Sequence, residues 1–141
     1  MNIYGFLLDV MENYERKRGG KMEKHKLKEL TEQLYKYNNE AHETFLNHRE
    51  TGEKGNFFLE VKPFADQIKI ICDEWEPLAV KWALQEKPKN LHPMQIRNTA
   101  ENIQMVSIRA FFPESSLKRF ISHIQSIDFI LRRMLEELDR E

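Results

Sequence analysis

The strongest constraint on this chain is a single apolar seam. Val61, Phe64, Ile68, Ile71, Trp75, Leu78 and Trp82 recur in three-four steps, a spacing that only a helix places on one face. Asn56 is suited to cap that helix, and the pattern runs to Glu86. Within it, WEPLAVKW sets Pro77 between two tryptophans seven residues apart. Both tryptophans lie on the seam and Pro77 on the outer face. The missing backbone hydrogen bond is therefore expected to bend the helix with the break turned to water. Pro63 is expected to bend or interrupt the first turns in the same way.

Three more segments carry the same periodicity. From about Glu23 to Arg49 the apolar groups are Leu27, Leu30, Leu34, Tyr37, Ala41 and Phe45. From 93 to 112 they are Ile96, Ala100, Ile103, Val106 and Ala110, widened by Met105, Ile108 and Phe112. From about Glu114 to Leu138 they are Leu117, Phe120, Ile124, Ile127, Leu131, Met134 and Leu138, with Ser115 or Ser116 as the cap. TGEKGN and KPKNLHP separate the first three segments, and Pro113 closes the third. Breaks this short fold successive helices back on one another. The expected fold is all-α, an antiparallel four-helix bundle with kinks near Pro63 and Pro77. Valine and threonine are scarce and no stretch sustains strand-like alternation.

FFLEVKPFADQ, then WEPLAVKWA, then KPKNLHPMQI followed by TAENIQ, resembles the YppE-like proteins of Gram-positive bacteria from about Met22 to the end. The resemblance implies a four-helix bundle and no assigned activity, so it supplies no catalytic residues. Its departure is at the front, which divides the chain into an extension, 1–21, and a bundle domain, 22–141.

The extension has two readings. RGGKM, 18 to 22, is compatible with a purine-rich ribosome-binding site read as protein, which would make Met22 the start; this reading is preferred. Alternatively, Ile3, Phe6, Leu7, Val10, Met11 and Tyr14 make a helical face able to dock on the bundle or on a partner. Mass spectrometry of the native protein separates the two.

Chemistry is thinly signalled. Di-metal bundles place Glu-x-x-His on facing helices, whereas the residues three before His25, His42, His48, His92 and His123 are Met22, Asn39, Phe45, Lys89 and Phe120. HETFL, 42 to 46, lacks the second histidine of a zincin helix. Cys72 flanks an apolar seam without a thiolate-stabilising neighbour. Asp128 is expected at the bundle rim or paired with an arginine. All five glycines precede residue 56, and no G-x-S-x-G occurs. No catalytic residue, metal site or cofactor is expected.

A balance of 22 basic against 23 acidic residues gives no general attraction to nucleic acid or to an acidic membrane. The basic run ERKRGGKMEKHKLK, 15 to 28, is the one local asymmetry. It reads as the solvated face of a helix, or as a weak salt-sensitive nucleic-acid contact. One cysteine and the lack of a long apolar run fit a cytoplasmic protein. The expected function is a non-enzymatic interaction or accessory factor with a protein partner, as a monomer or weak homodimer. The alternative is a small-ligand site in an apolar groove made by Tyr37, Phe64, Trp75 and Trp82, which are otherwise core residues.

Overall fold

The structure, a computed structural model, describes residues 3–140, and the side chains of 15–18 lie outside that description. Four α-helices carry the fold: α1 (Ile3–Thr51), α2 (Lys62–Glu86), α3 (Pro93–Arg109) and α4 (Leu117–Asp139). No strand occurs among the described residues. Neighbours along the chain pack together and α4 returns to α1, which closes a four-cornered, up-down bundle.

The seams read from the sequence form the core, except that Leu117 and Ile108 are exposed. Leu27, Leu30, Leu34, Ala41 and Phe45 of α1 meet Ile68, Ile71, Trp75, Ala79 and Trp82 of α2, Ile96, Ala100, Ile103 and Val106 of α3, and Phe120, Ile124, Ile127, Leu131 and Met134 of α4. Phe45 and Phe120 stack with centroids 3.9 Å apart. Asn38, fully buried in α1, donates from Nδ2 to the Ile124 carbonyl at 3.1 Å and so ties α1 to α4.

Helix ends follow local chemistry. Gly52, at φ +73, closes α1 by donating its N–H to the His48 carbonyl. Lys87 takes the left-handed conformation after α2. His92 caps α3 reciprocally with Gln95, and Pro93 opens that helix. Ser116, rather than Ser115, caps α4 by accepting from the Arg119 N–H.

Three boundaries differ from the sequence reading. α3 ends at Arg109 instead of 112, because the N–H groups of Phe111 and Phe112 turn back three residues, to Ile108 and Arg109, ahead of Pro113. The second helix opens with a π-helical turn, Phe57–Val61, and becomes α-helical only at Lys62, with Pro63 in its first turn. α1 starts twenty residues earlier than expected and passes through Gly19 and Gly20 without a break, so the 21/22 boundary is not marked by any interruption. Pro77 sits inside a continuous α2 on its exposed side, as does Asp73, whose carbonyl its missing N–H leaves without a helical donor.

Candidate functional site

The two tryptophans lie one heptad apart on one seam, yet their surroundings differ. Trp75 is wholly buried, and its Nε1 donates to Thr31 Oγ1 at 3.0 Å. Thr31 in turn donates to the Leu27 carbonyl at 2.6 Å. A β-branched hydroxyl on α1 thus satisfies the indole in the middle of the core. Trp82 is 4 % exposed, but its Nε1 has no hydrogen-bond partner. It borders a cavity of about 300 Å³ between α1 and α2, walled by Leu27, Leu78 and Gln85 and rimmed by the ion pairs Lys24–Glu86 and Lys81–Glu23.

Tyr37 and Phe64 occupy the opposite end of the bundle. Their rings meet edge to face at 5.8 Å, and Phe64 continues to Phe111 at 5.7 Å. Phe64 and Trp82 stand eighteen residues apart on one continuous helix, about 27 Å at helical rise. The structure therefore distributes Tyr37, Phe64, Trp75 and Trp82 along the length of the core rather than gathering them into one groove.

Among the described residues, no three metal-capable side chains converge. His42 and His48 share α1, and His48 donates from Nδ1 to the Glu53 carbonyl at 2.6 Å. Cys72 is buried, and burial first, then the nearby Asp73 and Glu76 carboxylates, push its thiol up to about 12. A thiol held neutral in this way is a packing group. Asp128 pairs with Arg132 at 3.0 Å on the rim of α4. No helix among the described residues is long and apolar enough to cross a membrane. Of the basic run 15–28, the side chains of 15–18 fall outside the described residues. Downstream, Lys24, Lys26 and Lys28 pair with Glu86, Glu74 and Asp139.

The feature that periodicity did not find is an apolar knuckle. Phe57, Phe58 and Leu59 are 56 %, 76 % and 79 % exposed, although a helix continuing the seam backward from Val61 would bury Phe57 or Phe58. The π-helical turn is the reason. Val61 N–H reaches the Asn56 carbonyl five residues back at 3.1 Å, which adds a residue to the turn and rotates the aromatics away from the core.

The knuckle is held firmly. Asn56 Oδ1 accepts from the Leu59 N–H at 2.9 Å, and Glu60 Oε1 accepts from the Asn56 N–H at 3.0 Å. Gly55 donates its N–H to the Phe111 carbonyl at 2.9 Å. A Cβ on Gly55 would stand 2.6 Å from the Phe111 ring, so only glycine allows this approach. The Phe57 and Phe58 rings brace each other edge to face at 5.2 Å. The FF pair and Asn56 were visible in the sequence; the five-residue backbone bonds that turn the aromatics outward were not.

The four packed helices define an all-α helical-bundle protein. Residues 31–138 match the family described as a bacterial domain of unknown function (DUF1798), and the chain belongs to it. It is 22 % identical over 115 residues to the uncharacterized protein YppE of Bacillus subtilis, covering 82 % of this chain and 94 % of that one. A crystal structure of a protein from Listeria innocua superposes with a TM-score of 0.80 at 34 % identity, over 84 % of this chain and 95 % of its own. The crystal structure of YppE itself superposes at 0.76 and 21 % identity, over 81 % and 93 %.

Proposed function

We propose that the chain is a non-enzymatic interaction or accessory protein whose bundle displays the Phe57–Leu59 knuckle to a partner protein. The carrying observation is the exposure of three consecutive large apolar side chains, two of them more than three-quarters in water. Leaving such a group exposed forfeits about 1.5 to 3 kcal/mol per side chain relative to burial, and contiguous apolar patches on soluble proteins mark contact sites. Asn56 Oδ1 on the Leu59 N–H and Glu60 Oε1 on the Asn56 N–H hold the backbone beforehand, so little loop entropy is lost on docking.

The test is a photoreactive amino acid at position 58 in a Gram-positive host, followed by mass spectrometry of the crosslinked species. The reading expects one dominant adduct that Leu59→Glu removes while the far-ultraviolet circular dichroism is unchanged. An absent adduct, or one indifferent to Leu59→Glu, refutes it.

A second reading, a small-ligand site, rests on the cavity beside Trp82 and its unpartnered indole N–H. A ligand with an apolar body and a hydrogen-bond acceptor suits those walls. Titration of fatty-acid-sized amphiphiles against Trp75→Phe protein, whose remaining indole is Trp82, reads it directly. Unchanged fluorescence at millimolar ligand ends this reading.

A further inference from the structure

Between α3 and α4 runs an open groove of about 520 Å³ whose walls carry no charged side chain. Its nine lining residues are four carboxamides, three hydroxyls, Phe129 and Ile130. Charged residues make up 32 % of the chain, so an ordinary solvated patch of this size would hold about three. The grooves beside Trp82, Pro77 and Tyr37 all hold carboxylates and ammonium groups together. On α3 the polar groups recur at Gln95, Asn98, Thr99 and Asn102; on α4 they are Ser122, Gln125 and Ser126, followed by Phe129. This spacing sets one row on each helix along a shared channel. Each row is about 10 Å long at helical rise, the length of a disaccharide.

Most of these groups are not used by the fold. Gln95 Oε1 accepts from the His92 N–H at 2.7 Å, and Thr99 Oγ1 donates to the Gln95 carbonyl at 2.7 Å. The side chains of Asn98, Asn102, Ser122, Gln125 and Ser126 make no hydrogen bond to any other of the described residues. Each free carboxamide offers two donor hydrogens and an acceptor oxygen, and each hydroxyl offers one donor and an acceptor. Phe129, 58 % exposed and outside the core, adds an open ring face to this set.

We propose that this groove binds a neutral carbohydrate of about two pyranose rings. A pyranose carries neighbouring hydroxyls that each donate and accept, which carboxamides answer on both counts. It also carries a C–H face that packs on the negative face of an aromatic ring. The missing charge sets the selectivity. A phosphate, carboxylate or ammonium ligand would give up hydration without meeting a counter-ion in these walls. An apolar ligand would strip water from five amide and hydroxyl side chains and replace none of their hydrogen bonds. The open groove leaves much of the sugar in water, which places Kd near about 1 mM. The groove shares no residue with the knuckle or with the Trp82 cavity, and the inference rests on neither.

Nitrogen–proton NMR spectra of the full chain, titrated with cellobiose, maltose or diacetylchitobiose over roughly 0.1 to 50 mM, read the side-chain amides of Asn98, Asn102 and Gln125 one by one. The expected result is saturable movement of those amides with at least one of the three sugars. Phe129→Ala and Asn102→Ala are each expected to weaken that binding about tenfold. Neither side chain belongs to the core, so far-ultraviolet circular dichroism and melting temperature stay as in the parent. Glucuronic acid is expected to move the same amides less than glucose does. No movement with any of the three disaccharides, movement that survives both substitutions, or tighter binding of glucuronic acid overturns the proposal. Stronger movement with uridine or adenosine than with every sugar makes the groove a nucleobase site, and the same movement on concentrating the protein alone makes it a contact between copies. Either result also overturns it.

Discussion

Replacing each tryptophan in turn by phenylalanine separates two indoles that look equivalent in the sequence. At Trp75 the truncation leaves a void of about 40 Å³, worth about 1 kcal/mol at 24 cal/mol per Å³. It also removes the hydrogen bond to Thr31 Oγ1, worth about 1 kcal/mol. The expected loss is about 2 kcal/mol. At Trp82 the void term is at most similar, because the ring already borders a cavity. Against it stands the removal of a buried N–H that has no partner, which recovers about 1 to 2 kcal/mol. Trp82→Phe is therefore expected within about 1 kcal/mol of the parent, and the two variants differ by about 2 kcal/mol, or roughly 8 °C in melting temperature.

Urea denaturation with a common m-value measures that difference. A companion cycle isolates the hydrogen bond. Thr31→Val in the parent strands the Trp75 N–H and costs about 1 to 3 kcal/mol, whereas in the Trp75→Phe background no N–H remains to strand and the cost falls by about 1 kcal/mol or more. Equal losses at the two tryptophans, or additivity in the cycle, would show that the Thr31 contact is energetically idle and that packing alone accounts for both rings.

Other consequences are separately measurable. The folded Cys72 thiol titrates at about 12 against an ordinary 9.0, so above pH 9 the unfolded chain releases this proton first. Stability then declines between pH 9 and 12 by up to about 1.4 kcal/mol per pH unit; Cys72→Ala, followed by urea midpoints across that range, flattens this component, and an unchanged slope contradicts it. Gly55→Ala drives a methyl into Phe111 and is expected to cost about 1 to 3 kcal/mol in thermal unfolding; a neutral effect would mean that the Phe111 ring moves aside freely. Asn56→Ala removes the cap on the Leu59 N–H and is expected to cost about 1 kcal/mol and to speed amide exchange at Leu59; exchange as slow as in the parent would show that the π-turn does not depend on its cap.

The sequence made the bundle legible because each seam repeats often enough to outweigh single exceptions. Seven apolar positions fix the inward face of the second helix despite Pro63 and Pro77, and the core contains nearly all the residues that the spacing nominated. Boundaries were less legible wherever one or two hydrogen bonds decide them. The early end of α3 depends on Phe111 and Phe112 choosing carbonyls three residues back, a choice made by the approach to Pro113 and by Phe111 joining the aromatic cluster around Phe64. Composition carries no trace of that. The same applies to the partner of an indole. Thr31 is an ordinary residue in TEQLYKYN, and only the α1–α2 register sets its hydroxyl beneath Trp75 and leaves Trp82 with nothing.

The knuckle exposes the limit of periodicity most clearly. A strict 3.6-residue rule assigns Phe57 or Phe58 to the core, and two five-residue backbone bonds, from the Val61 N–H to the Asn56 carbonyl and from the Lys62 N–H to the Phe57 carbonyl, reverse that assignment for the whole FFL stretch. Three contacts hold the turn: Asn56 caps Leu59, Glu60 reaches back to Asn56, and Gly55 lies close enough to Phe111 to exclude a side chain. A plain first turn of α-helix would bury one aromatic, about 1.5 to 3 kcal/mol of burial that this turn forgoes. Local conflict with the global pattern, stabilised by dedicated contacts, is expected where a surface is shaped for something other than stability. The knuckle is thus a stronger candidate for contact than the core tryptophans, whose spacing stability alone explains.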